Sequence, residues 1–258
     1  MTPKFIAIIP SRYGSSRFPG KPLADIAGKM MIQRVYEQVV QAVDEVWVAT
    51  DDERIATAVH GFGGKVVMTS ADHRSGTDRC AEAIKKVSKV TGRKFDVVIN
   101  VQGDEPFIKP GQITILQKPF IDEPGTEIAT LIQQIRETKV LFNPGEAKVV
   151  LDIHGNAIYF SRLPIPMVAK LEQGKWIENC NYYCHVGIYA YRNDVLEKLS
   201  KLPEGILEKA ESLEQLRWLE NGYKIKTVLT DHATVGIDTP EELEKIVADG
   251  IEKYYAKG

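Results

Sequence analysis

Cysteine is scarce: the 258 residues hold three, Cys80, Cys180 and Cys184. A small, odd number fits free thiols in a reducing compartment and excludes a disulfide framework. The close group Cys180, Cys184 and His185 lacks the second ligand pair that a structural zinc site needs. Long apolar runs are missing as well. The run at residues 5–9 ends at Pro10, too short for a signal-peptide core, and no stretch approaches the ~18 apolar residues of a spanning helix. Neither sign of charge dominates: 33 basic against 35 acidic residues leave a formal net charge of −2, without the broad basic face of a nucleic-acid or membrane-surface binder. With 13 prolines and 20 glycines the chain is neither fibrous nor of low complexity. These absences predict a soluble, cytoplasmic globular protein with no nucleic-acid and no membrane partner.

What is present is an alternation of short β-branched runs with stretches of helical period. Strands are expected at 5–9, 45–50, 65–68, 96–101, 127–133, 185–191 and 224–229, and a hairpin at 147–160 with turn residues Asp152, Gly155 and Asn156. Helices are expected at 31–42, from Asp51 onward, and at 77–90, 110–121, 212–221 and 240–254. This is the pattern of an α/β fold, a mostly parallel sheet with helices on both faces. Residues 163–181, with Pro164, Pro166 and Gly174, are too many for a plain connection and predict a functional loop or subunit-contact arm. One domain over residues 1–258, with that insertion, accounts for the chain.

The most informative segment is Pro10-Ser11-Arg12-Tyr13-Gly14-Ser15-Ser16-Arg17-Phe18-Pro19-Gly20-Lys21-Pro22, at the carboxyl end of the first strand, where open α/β sheets place ligands. Glycines and serines let backbone N–H groups converge on an anion, and Arg12, Arg17 and Lys21 bring three cations to one loop. A triphosphate asks for that combination, because negative charge grows on a departing pyrophosphate. A Walker A loop does not fit: five residues separate Gly14 from Gly20, and Pro22 follows Lys21. A G-x-G-x-x-G dinucleotide fingerprint is absent too. The competing reading, a solvated basic loop, is disfavoured by three cations placed directly after a buried strand.

From Ile9 to Leu23 the chain resembles the nucleotide-binding signature of sugar-activating nucleotidyltransferases, closest to the 3-deoxy-manno-octulosonate (Kdo) cytidylyltransferase (CMP-Kdo synthetase) family. The resemblance continues, in order, through Val48-Ala49-Thr50-Asp51, Asp72-His73-Arg74-Ser75-Gly76-Thr77-Asp78-Arg79 and Asn100-Val101-Gln102-Gly103-Asp104-Glu105-Pro106. It then takes in Tyr159-Phe160-Ser161-Arg162, His185-Val186-Gly187-Ile188-Tyr189, Leu213-Glu214-Gln215-Leu216-Arg217 and Gly236-Ile237-Asp238-Thr239-Pro240.

The resemblance implies a Rossmann-like nucleotide-diphospho-sugar transferase sheet and a homodimer, with residues 163–181 as the candidate contact. It implies transfer of CMP from CTP to the anomeric hydroxyl of Kdo, with release of pyrophosphate, for lipopolysaccharide synthesis. It assigns Asp104 and Asp238 to Mg²⁺, with Arg12 and Lys21 as further catalytic groups. CTP falls to Pro10, Arg12, Gly14, Ser15, Arg17, Lys21, Ser75, Gly76 and Arg79, and the sugar to Gln102, Arg162, His185, Tyr189, Glu214 and Gln215. Two of these assignments have physical support in the residues alone. Asp104 follows a buried strand that delivers it to the sheet edge, and Mg²⁺ prefers carboxylate and phosphate oxygens. Arg162 can hold a carboxylate bidentately. Asp238 has a rival role, since Asp-Thr-Pro before a helix is good capping chemistry. One departure is Cys184, where a basic residue is expected; it raises the 8-amino form of Kdo as an alternative acceptor. Sialic acid and methylerythritol phosphate are other acceptors of the same chemistry, and a non-catalytic CTP sensor is the reading from a different class.

Overall fold

Strand β1 (Phe5–Ser11) lies inside a nine-stranded sheet, and its side chains show why. Ile6 and Ile8 enter one core, Ala7 and Ile9 the other, and all four are fully buried. A strand apolar on both faces needs helices above and below it. The computed structural model describes residues 2–15, 17–232 and 235–256.

The remaining strands are β2 (Asp25–Ile26), β3 (Lys29–Met30), β4 (Val46–Thr50), β5 (Val66–Met68), β6 (Val97–Asn100), β7 (Ile128–Ile135), β8 (Lys148–Leu151), β9 (Ala157–Ser161), β10 (Tyr182–Arg192) and β11 (Ile225–Leu229). The main sheet has the order β11-β7-β10-β6-β1-β4-β5, with β8 on β10 and β9 on β8. β1 is parallel to β4 and β6, β4 to β5, and β11 to β7. The long β10 runs antiparallel to β6, β7 and β8. The helices are α1 (Met31–Val39), α2 (Glu53–Gly61), α3 (Gly76–Thr91), α4 (Pro110–Asp122), α5 (Thr138–Leu141), α6 (Trp176–Asn179), α7 (Asn193–Leu199), α8 (Ile206–Glu211), α9 (Gln215–Glu220), α10 (Pro240–Ala248) and α11 (Glu252–Ala256). α3, α7 and α9 cover one face through Cys80, Ile84, Leu196, Leu216 and Trp218. α1, α2 and α4 cover the other through Ile32, Val35, Ile55, Val59, Ile113 and Leu116.

Two expected helices differ in the structure. The one over 212–221 begins three residues late, as α9, because Ser212 at φ 51° ends an unexpected helix, α8, just before it. The one over 240–254 is interrupted at Gly250, at φ 82°. Residues 163–181 are also more ordered than a bare loop. Trp176 is buried beside Ile135, Leu141 and Tyr182, and its indole N–H donates to the Leu171 carbonyl at 3.0 Å. Among the described residues no helix is long and apolar enough to cross a membrane.

β10 carries an irregularity that matters below. Val186 pairs with Leu131, but Tyr189 pairs with the very next residue of β7, Thr130. The two extra residues keep the alternation of faces but shorten the strand. The Thr130 hydroxyl fills the bulge, donating to the Ile188 carbonyl at 2.7 Å. Its lone pairs are then left to accept the N–H of His185 Nε2, 3.0 Å away, which leaves His185 Nδ1 as an acceptor.

Candidate active site

The carboxyl ends of β1 and β6 and the start of α3 enclose a cleft of about 230 Å³. Its walls include Pro10, Arg12, Ser15, Arg17, Lys21, Ser75, Gly76, Arg79, Gln102, Asp104 and Asp238. Close packing of three segments makes this wall. A Cβ on Gly103 would stand 2.5 Å from Ser11 Oγ, and one on Gly76 would stand 3.2 Å from Pro10 Cγ. Both positions therefore admit the loop after β6 and the tip of α3 right against β1. Gly20, at φ 73°, folds the basic loop back so that its N–H donates to the Tyr13 carbonyl at 2.9 Å.

Asp104 and Asp238, 134 positions apart in sequence, meet at one ammonium group. Lys21 Nζ lies 2.7 Å from Asp104 Oδ2 and 3.1 Å from Asp238 Oδ1, and Arg17 Nη2 lies 2.9 Å from Asp238 Oδ2. The capping role considered for Asp238 belongs to its neighbour. Thr239 Oγ1 accepts the Glu242 N–H at 3.3 Å, and the Glu242 carboxylate accepts the Asp238 and Thr239 N–H groups at 2.7 and 3.1 Å. Pro240 fills the first turn. The Asp238 carboxylate is thereby free to face the cleft. Two carboxylates converging on a single cation form an oxygen donor set that fits Mg²⁺, which takes one or two carboxylates and completes its shell with phosphate and water. Behind them Glu105 is pushed up to about 8 by burial and by Asp104, and its Oε2 has no hydrogen-bond partner among the described residues.

Ser75 caps α3, accepting the Asp78 N–H at 3.2 Å. Arg79 lines the cleft with its guanidinium already engaged, to Thr69 Oγ1 at 2.6 Å and Asp51 Oδ1 at 3.0 Å. Gly14 is not among the lining residues, and its Cβ position is open space. The sequence reading gave no role to His73 and Arg74, which also line the cleft. His73 is braced by Glu82, whose carboxylate is held down to about 2: burial opposes this, and Lys86, the Ser70 N–H and His73 outweigh it. Polar character in the segment before the α3 cap was the available signal.

Of the residues read as sugar-binding, Gln102 lines the cleft, while His185, Tyr189 and Glu214 lie together on the α3 side of the sheet. His185 and Tyr189 were expected on one face of a strand, where regular spacing would hold them ~13 Å apart. Their ring centroids are 5.1 Å apart, because the β10 bulge brings them together. Burial lowers His185 to about 4, so the ring is neutral near pH 7. Tyr189 stacks on Tyr191 at 5.8 Å, and Trp218 meets both edge-on. Glu214 accepts from Thr77 Oγ1 at 2.9 Å and is raised by burial. Gln215 Nε2 is buried without a hydrogen-bond partner among the described residues.

Arg162 differs from its expected state. Its Nε, Nη1 and Nη2 donate to the carbonyls of Glu211, Pro144 and Ser212 at 2.7, 3.1 and 3.1 Å. The fork is spent on backbone, and one N–H on each terminal nitrogen remains for a ligand. Cys184 lies one residue from His185 and so on the opposite face of β10, packed with Ile135, Leu141 and Trp176. The loss of a cation there does not alter the face that carries His185 and Tyr189.

The cytidylyltransferase family model matches residues 6–225. A 3-deoxy-manno-octulosonate cytidylyltransferase from Parabacteroides distasonis is 55% identical over 249 residues, covering 95% of this chain and 97% of that protein. One from Escherichia coli is 48% identical over 247 residues, 95% of each. The solved structure of a CMP:2-keto-3-deoxy-manno-octonic acid synthetase complexed with CTP superposes with a TM-score of 0.88 at 47% identity, over 97% of this chain and 99% of that one. A 4-diphosphocytidyl-2C-methyl-D-erythritol synthase from Anaerococcus prevotii shares the fold alone, at 14% identity and a TM-score of 0.58. By its sequence along nearly its whole length and by its fold, the chain belongs to the 3-deoxy-manno-octulosonate cytidylyltransferase family.

Proposed function

We infer that this protein transfers CMP from CTP to the anomeric hydroxyl of Kdo, with Mg²⁺ at Asp104 and Asp238, as a homodimer in the cytoplasm. The observation that carries the reading is the meeting of those two carboxylates with Lys21 and Arg17, at the mouth of a loop that also bears Arg12. The anomeric hydroxyl gives up its proton to solvent and its oxygen bonds to the α-phosphorus, as the bond to the bridging oxygen breaks and pyrophosphate departs. Arg12, Arg17 and Lys21 hold the departing charge, and catalysis consists of positioning and charge neutralisation without a protein nucleophile. When bound, Mg²⁺ supplies Lewis-acid stabilisation of phosphate oxygens and lowers the pKa of a coordinated hydroxyl.

Ser75, Gly76 and Arg79 face the nucleoside end. His185 presents an acceptor nitrogen, and Glu214 and Gln215 present groups that pair with sugar hydroxyls. Leu163 and Met167, 68% and 69% exposed, give the segment 163–181 an apolar surface for a second copy.

The test is pyrophosphate release with CTP and a panel of acceptors. Turnover is expected with Kdo, abolished by EDTA and restored by Mg²⁺. Turnover confined to the 8-amino form, sialic acid or methylerythritol phosphate, or none with any acceptor, would overturn the assignment. Asp238→Asn is expected to lose several orders of magnitude in kcat with the fold retained, since metal clamping contributes several kcal/mol to the transition state. Light scattering decides the dimer.

A further inference from the structure

The first turn of α3 touches both halves of the site. Ser75 and Gly76 line the nucleotide cleft, while Thr77, only 2% exposed, points away from it. Thr77 Oγ1 donates to Glu214 Oε2 at 2.9 Å, across 137 positions of sequence. The other carboxylate oxygen, Glu214 Oε1, is buried with no hydrogen-bond partner among the described residues. The nearest cation does not compensate. Arg217 Nη2 stands 3.8 Å from Glu214 Oε1 and gives its hydrogen bonds to Glu208 at 2.6 and 2.7 Å. Burial and the charge of Glu214 both raise the neighbouring Tyr189 and Tyr191 hydroxyls, against the opposing influence of Thr130 and Thr77, and among the described residues neither hydroxyl has a partner in regular hydrogen-bond geometry. A buried carboxylate oxygen beside two unused hydroxyls is costly unless a polar ligand completes the group, and a polyhydroxylated acceptor supplies both donors and acceptors.

We propose that Thr77 is a positioning residue for the sugar acceptor: its hydroxyl fixes one oxygen of Glu214 so that the other meets a sugar hydroxyl. Because Thr77 sits on the turn whose cap faces the nucleotide, the same bond fixes the acceptor relative to the α-phosphate. A near-attack geometry depends on that relation more than on either pocket alone. The proposal rests on the reading of Glu214 as a sugar-binding group.

The experiment measures KM for Kdo and kcat at saturating CTP, and CTP affinity by calorimetry, for Thr77→Val, Thr77→Ser and Glu214→Gln. Thr77→Val keeps the shape and removes the hydroxyl. It is expected to raise KM for Kdo about ten-fold, the scale of one hydrogen bond to a charged group, and to lower kcat, with CTP affinity unchanged. Thr77→Ser is expected to stay within about two-fold of the parent. If the valine variant does not fold, Thr77→Ala carries the same expectation. An unchanged KM in Thr77→Val, or equal losses in the valine and serine variants, overturns the proposal. So does a fall in CTP affinity that matches the rise in Kdo KM. Should Glu214→Gln leave KM for Kdo unchanged, the sugar-binding reading itself fails. Should that variant raise KM while Thr77→Val does not, only the role of Thr77 fails.

Discussion

Replacing Gly103 by alanine tests whether the close approach of two strand ends sets the place of Asp104 beside Asp238. The added Cβ would stand 2.5 Å from Ser11 Oγ and 3.0 Å from the Pro10 carbonyl oxygen. Ordinary contact is about 3.5 Å, so the loop holding Gln102 and Asp104 must recede from β1 by about 0.5–1 Å. Neither obstacle yields easily: Pro10 O is backbone, and Ser11 is 5% exposed. Overpacking on this scale costs about 1–3 kcal/mol of stability. Misplacing a reacting group by about 1 Å costs on the order of 100-fold in rate. Urea denaturation and pyrophosphate release read the two effects. Ser11 Oγ has no hydrogen-bond partner among the described residues, so Ser11→Ala is expected to leave stability nearly unchanged. In the Gly103→Ala background it removes the 2.5 Å conflict and leaves the one at 3.0 Å, so stability and rate recover in part, with a coupling of about 1 kcal/mol. Parent-like activity in Gly103→Ala, or strictly additive losses in the double variant, would refute the reasoning.

Two further outcomes follow from the residues read as sugar-binding. Burial lowers His185 to about 4 from its ordinary value of 6.5, so between these values the unfolded chain binds the extra proton and stability falls as pH drops. The full effect is ~3 kcal/mol, and His185→Gln should flatten the slope of urea-derived stability between pH 7 and 4.5; an unchanged slope would place the titration elsewhere. Arg162→Met removes three hydrogen bonds to carbonyls, about 1 kcal/mol each at most for a partly exposed group, and is expected to lower thermal stability as well as Kdo affinity. A variant of parent stability that loses only Kdo affinity would mean that the ties to Pro144 and Ser212 contribute nothing.

Much of the fold was legible because strands buried on both faces are apolar throughout, as in β1 and β6, and because helices keep a periodic apolar stripe, as in α1 and α3. Strand pairing was less so. The apolar pattern of β10 fits either direction, and only its neighbours make it antiparallel. Gly250 broke a helix whose periodicity ran on, because backbone left-handedness at one residue leaves no mark on the hydrophobic pattern.

At the site, the basic loop with Arg12, Arg17 and Lys21 could be read from residue chemistry alone, since three cations after a buried strand call for an anion. That Asp104 and Asp238 meet at Lys21 depended on tertiary structure, because convergence of residues 134 positions apart is set by how α10 docks. The same holds for Thr239 taking the cap and so freeing Asp238, and for a two-residue bulge that presses His185 against Tyr189. Sequence determines which groups are available and which face they take. Distance between them belongs to packing, where a single missing Cβ at Gly103 or one threonine hydroxyl at Thr130 decides the geometry.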